Sequence, residues 1–145
     1  MNRIDQKVAI VTGGTQGLGA AIAWQFALSG AKAVFTCGRN VEKGQSVAKN
    51  IQDQTGVPVY FIEADLADIT TCRKLIARCD QNFGRLDVLV NAAGLTDRGN
   101  LLDTSEELFD RMFAINIKAP FFLMQEAVKI MIRESIEGAI VNIGS

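Results

Sequence analysis

The 145-residue chain is 48% hydrophobic and 21% charged, the balance of a soluble globular protein, and its length suits one domain with a full core. Fifteen basic and sixteen acidic residues are interspersed, leaving a formal charge of −1, so neither nucleic acid nor a membrane surface is an expected partner. Histidine is absent, which removes most zinc chemistry and every Ser-His-Asp or Cys-His nucleophile, and no metal site is expected.

In chain order, Lys7 to Thr12 is a β-branched-rich run ending in glycines and reads as strand one. Leu18, Ile22 and Phe26 recur at helical spacing until Gly30, a helix stop. Lys32 to Cys37 is strand two, and a polar-faced helix follows from about Asn40 to Gln54 with Val47 and Ile51 on its buried side. Val57 to Glu63 is strand three, and Pro58 within it suits a first residue or a sheet edge. Leu75, Ile76, Cys79 and Phe83 mark a third helix, and Leu86 to Asn91 is strand four. Thr104 with Glu107 makes a capping box ahead of a long helical region to about Glu134, and Ala139 to Ile143 is strand five.

Short apolar strands alternating with helices predict an α/β fold, a Rossmann-type doubly wound parallel sheet with helices on both faces. Right-handed crossovers favour the order 3-2-1-4-5, which puts the Pro58 strand at an edge. Ligands in such a sheet bind beyond the carboxyl ends of strands one and four, where the winding reverses. Both the glycine turn after strand one and the Asn91-Ala92-Ala93-Gly94 turn after strand four fall there. The start of the chain lacks an apolar stretch of signal-peptide length. Cys37, Cys72 and Cys79 are scattered without a CxxC pair, so reduced thiols and a cytoplasmic location are expected.

The glycine turn TGGTQGLG, Thr12 to Gly19, follows a strand and opens a helix. Gly13 permits the tight turn, Gly17 lets backbone approach a pyrophosphate, and Gly19 permits close packing of helix on strand. Thr15, Gln16 and Leu18 ride on the same turn, whose helix N-terminus supplies N–H groups to phosphates. No lysine follows the glycines, which excludes a GxxxxGK[ST] phosphate loop. The end of strand two, Cys37-Gly38-Arg39-Asn40, lacks the carboxylate that would hold an NAD ribose. Arg39 presents a planar fork suited to a 2′-phosphate, with Asn40 a helix cap beside it, so NADP is favoured over NAD.

Taken together these motifs resemble the short-chain dehydrogenase/reductase family from Lys7 to the last residue. TGGTQGLG is similar to that family's TGxxxGxG, spaced differently from GxGxxG. The resemblance implies an adenine-side contact for Asp65, followed by Leu66 in EADL, and a sheet-supporting role for the turn Asn91, Ala92, Ala93 and Gly94. It implies a catalytic proton-relay role for Asn116 and a catalytic role for Ser145. Phe121, Phe122, Leu123 and Met124 are expected in the core and at a subunit interface, because the family's equivalent helix often pairs with a neighbouring subunit, making a homo-oligomer. One departure stands out: many NADP-preferring members carry a basic residue just before the second motif glycine, where this chain has Gln16.

The family reaction transfers a hydride between nicotinamide and an alcohol or carbonyl carbon, with a YxxxK tyrosine as acid/base. The one tyrosine here, Tyr60, lies in strand three without a lysine at that spacing, and the family's motif would begin about a dozen residues past Ser145. The implied function is an NADP(H)-dependent oxidoreductase present as an incomplete chain, inactive alone, with Val88, Val90, Ile140 and Val141 under an open face. The competing expectation is a non-catalytic NAD(P)-binding module. A methyltransferase using S-adenosylmethionine would normally want an acid at the end of strand two, which Cys37-Gly38-Arg39 does not provide.

Overall fold

The computed structural model describes residues 4–97 and 99–144. Five parallel strands, β1 (Val8–Thr12), β2 (Ala33–Gly38), β3 (Val59–Glu63), β4 (Val88–Asn91) and β5 (Ala139–Asn142), form one sheet in the order β3-β2-β1-β4-β5. The expected order and edge position of β3 are therefore found. Strands β1 to β4 begin one or two residues later than read from sequence, and β5 begins at Ala139 as read. For β3 the reason is Pro58, which has no N–H to give a ladder. Its carbonyl still accepts from Val34 N at 3.0 Å just ahead of the strand.

The connecting helices are α1 (Gly17–Leu28), α2 (Val41–Thr55), α3 (Ile69–Phe83), α4 (Glu106–Phe113) and α5 (Ala119–Arg133). A π-helical turn, Ala114–Lys118, joins α4 to α5. Helices α1 and α2 cover one sheet face, where Ala23, Ala27, Ala48 and Ile51 pack on Val11, Val34 and Val90. Helices α3 and α5 cover the other, where Leu75, Cys79, Leu123 and Ala127 pack on Ile10, Phe35 and Leu89. The small residues of α1 let it lie close to the central strands. Val90 is consequently buried, at 2% exposure, against the expectation of an open face. Val141 on the edge strand is 45% exposed, while Val88 and Ile140 are half-buried.

Helix ends follow local chemistry. Asn40 Oδ1 accepts from Lys43 N at 2.9 Å, so the expected cap of α2 is present. The cap of α4 is Ser105, whose Oγ accepts from Leu108 N at 3.2 Å, and not Thr104. The Thr104 hydroxyl is committed to the preceding turn, donating to Asn100 O at 2.9 Å. Among the described residues no helix is long and apolar enough to cross a membrane.

Candidate functional site

At the carboxyl ends of β1 and β4, where the winding reverses, the chain leaves a cavity of about 340 Å³. The glycine turn forms one wall: Gly13, Thr15, Gln16, Gly17, Leu18 and Gly19 all line it. Gly13 turns the chain at φ +70°. A methyl group on Gly19 would meet Gly13 O at 2.3 Å, so the start of α1 sits directly on the end of β1. At Gly17 the same methyl would meet nothing within 4 Å, leaving its backbone open to the cavity. Among the described residues no side chain caps α1, so the N–H groups of its first turn have no side-chain partner beside the cavity.

Arg39, at the end of β2, forms the second wall with Gly38 and the backbone around Cys37. Cys37 is fully buried, and burial pushes its thiol up to about 12, so it packs as a neutral strand-end residue. The third wall is Asp65 and Leu66, just past β3. Burial alone would raise the Asp65 carboxyl, but the Ala67 N–H, the Arg111 guanidinium and the charge of Arg39 hold it below the ordinary aspartate value. Asp65 Oδ1 closes a local turn by accepting from Ala67 N at 3.0 Å, so it begins a turn and lines the cavity as well.

Ala92, Ala93 and Gly94 complete the cavity from the β4 side. Their approach to the glycine turn is close, since a methyl on Gly13 would meet Ala93 Cα at 2.9 Å. Asn91 stands below them, 3% exposed, and donates through Nδ2 to Asn142 Oδ1 at 2.8 Å, tying β4 to β5. Asn116 sits in the π-helical turn and clasps the backbone of Leu95 from both sides. Its Oδ1 accepts from Leu95 N at 2.8 Å and its Nδ2 donates to Leu95 O at 2.7 Å. Leu95 itself lines the cavity, so the Asn116 carboxamide reaches the site through that loop.

Asn40, Asn91 and Asn116 thus stand just behind the walls, and the expected catalytic Ser145 lies outside the described residues. Tyr60 is not among the residues that line the cavity. Its half-buried ring stacks on Phe35 at 4.7 Å and meets Phe83 edge-on, against the core.

Three side chains that sequence reading did not single out also shape the site. Thr12 Oγ1 accepts from Ala92 N at 3.1 Å and Ala93 N at 3.0 Å, fixing the β4 turn to the end of β1. Arg111 of α4 holds Asp65. Lys43 of α2 donates through Nζ to Gln16 Oε1 at 2.5 Å. Partners 46 and 27 residues apart leave no local pattern for the last two, and only the topology brings them together. The position of Thr12 at the carboxyl end of β1 was the one available signal.

Strand order and glycine turn define a doubly wound sheet of the Rossmann class. The chain belongs to the short-chain dehydrogenase family, whose pattern it matches over residues 7–145. It is similar to elsinochrome reductase 1 of Elsinoe fawcettii, 38% identical over 144 residues, or 99% of this chain and 52% of that protein. Among solved structures it resembles a metagenomic short-chain oxidoreductase in complex with NADP. That pair has TM-score 0.90 and 34% identity, over 98% of this chain and 63% of that one. A short-chain dehydrogenase from Burkholderia cenocepacia in complex with NADP is similar at TM-score 0.90 and 35% identity, over 99% and 57%. The chain therefore spans about half the length of the curated relatives it matches.

Proposed function

We propose that these 145 residues are the dinucleotide-binding unit of an NADP(H)-dependent oxidoreductase acting on a small-molecule alcohol or carbonyl. The observation that carries the reading is one cavity lined at once by the glycine turn, Arg39, Asp65 and the Ala92–Gly94 turn. The uncapped N–H groups of α1 and the open backbone at Gly17 suit a pyrophosphate. Arg39 suits a 2′-phosphate, and no carboxylate stands beside it on β2 to repel one. Asp65 and Leu66 bound the end of the cavity suited to adenine. Two similar solved structures are NADP complexes, which supports the same choice. A nicotinamide held there would give a hydride to a carbonyl carbon or take one from an alcohol carbon.

This chain's own residues bind and orient. Thr12 fixes the Ala92–Gly94 wall, and Asn116 holds the Leu95 loop against the site from the π-helical turn. Ser145 would bond the substrate oxygen. Tyr60 packs against Phe35 and Phe83 and does not line the cavity, so in this reading it is not the acid/base, and the 145 residues alone are expected to bind cofactor without turnover. Phe109, Phe113, Ile117 and Phe121 recur every four residues along α4, the π-helical turn and α5, each about half exposed. The reading includes burial of that stripe against a second copy.

Parallel titrations of NADPH and NADH, followed by nucleotide fluorescence, test the proposal. Tighter NADPH binding is expected, and equal or tighter NADH binding would overturn the assignment of NADP.

A further inference from the structure

We infer that Lys43 is a second cation for the 2′-phosphate, held at the cavity's edge by the wall residue Gln16 and supplying the charge that Gln16 itself lacks. The inference rests on the reading of the cavity as an NADP site and adds a residue that no motif marks.

The backbone fixes where Lys43 starts. It occupies the first turn of α2, and its N–H is bound by the Asn40 side chain, the residue next to Arg39. Arg39 and Lys43 therefore leave the same capped turn, and both are exposed. The tertiary contact fixes where Lys43 ends. Its ammonium reaches across to Gln16 Oε1, and Gln16 is itself part of the cavity wall. The positive charge thus comes to rest beside position 16, although the residue there is neutral.

Charge and hydrogen-bonding capacity favour a phosphate at this point. A phosphate monoester carries about −1.5 to −2 at neutral pH, more than one guanidinium neutralises. Arg39 can offer a two-pronged contact, and an ammonium adds a compact charge with three donors. In the Gln16 carboxamide the oxygen accepts from Lys43, which leaves the Nε2 hydrogens to donate to a further acceptor. Several other cations already face carboxylates: Arg111 faces Asp65, Arg133 faces Asp80, and Arg85 and Lys7 share Asp87. Among the described residues Lys43 makes no ion pair, and its recorded partner is the neutral amide. A ribose 2′-hydroxyl, having no charge, would gain little from it.

The experiment uses the full chain with 2′,5′-ADP and 5′-AMP, which differ only in the 2′-phosphate, measured by calorimetry. Lys43→Met is expected to weaken 2′,5′-ADP on the order of tenfold, the effect of removing one charge-assisted hydrogen bond, and 5′-AMP less than about twofold. Gln16→Lys added to Lys43→Met should restore most of the loss by supplying the charge directly. Lys43 is exposed, so circular dichroism and the melting midpoint should be unchanged. If Lys43→Met weakens both ligands equally or neither, while Arg39→Met still lowers the ratio, the assignment to Lys43 is wrong. If the unmodified chain does not prefer 2′,5′-ADP to 5′-AMP, the NADP reading fails first and the inference falls with it.

Discussion

The guanidinium of Arg111 donates to both carboxylate oxygens of Asp65, at 3.1 and 3.2 Å, joining α4 to the loop beyond β3. Both side chains are more than a third exposed, so solvent screens the pair and its share of stability is small, about 0.2–1 kcal/mol. Its larger effect is on the charge and orientation of Asp65. Because the folded-state value is lowered, this stabilisation is complete above the ordinary aspartate value of about 3.9 and fades as pH falls through the folded one. Arg111→Ala should move the Asp65 carboxyl titration upward, read by carbon NMR of that side chain, with little change in the urea midpoint at pH 7. An unmoved titration would show that Ala67 N–H and Arg39 hold the carboxylate without Arg111.

Thr12 links the two turns of the site through a single oxygen. The residue is 1% exposed, and its hydroxyl serves two backbone donors, Ala92 N and Ala93 N. Thr12→Val preserves the shape and removes that acceptor, leaving two N–H groups without it, at about 1–3 kcal/mol for each donor left without water or another partner. Thr12→Ser should recover most of the loss. Hydrogen exchange at Ala92 and Ala93 should rise in the valine variant more than at Val34 or Phe35 in the neighbouring strand. Uniform acceleration across the sheet would mean that the valine acts by general destabilisation instead.

Gly17 and Gly19 are two residues apart but should fail in different ways. Gly17 has φ +55° and open space around it, so Gly17→Ala is strained by about 1–2 kcal/mol yet should still fold. The added methyl would stand where the proposed pyrophosphate approaches, and nucleotide affinity should drop at least tenfold. Gly19→Ala instead drives a methyl into Gly13 O, and backbone must shift, which puts its cost near the upper end of the 1–3 kcal/mol range for overpacking. Thermal unfolding with NADPH titration separates the two. A Gly17→Ala chain that binds normally would remove that backbone from the site.

Much of this frame was legible in the sequence because its signals are local. The glycine turn, the Asn40 cap and the five apolar runs each lie within a dozen residues, and the rule of right-handed crossovers turned them into the strand order found. Pro58 marked the edge strand through a missing N–H. The cap of α4 was misread because Thr104-x-x-Glu107 satisfies the capping pattern, whereas the Asn100 turn consumes the Thr104 hydroxyl and passes the cap to Ser105. The π-helical turn around Asn116 has no periodic signature at all. Nor do Lys43 and Arg111, charged residues on exposed or half-exposed helix positions, whose significance comes from what the fold sets opposite them.

Asp87 carries the clearest pH dependence. Its side chain is 2% exposed beneath β1, accepting from Val8 N at 2.9 Å and from Arg85 Nε at 2.9 Å, with Lys7 at 3.6 Å. Burial alone would raise this carboxyl, but Arg85, the Val8 N–H and Lys7 hold it below the ordinary value. The carboxylate therefore stabilises the fold above about pH 4, and that contribution shrinks as pH falls through the lowered folded value. Asp87→Asn keeps an acceptor for Val8 N but loses the charge facing Arg85. Because Arg85 and Lys7 remain partly solvated, the cost at pH 7 should be about 1–3 kcal/mol. Urea unfolding at pH 7, 5 and 3 should give a difference between the two chains that is nearly constant over the first two and smaller at the third. A difference that persists undiminished at pH 3 would assign the effect to shape or hydrogen bonding and not to charge.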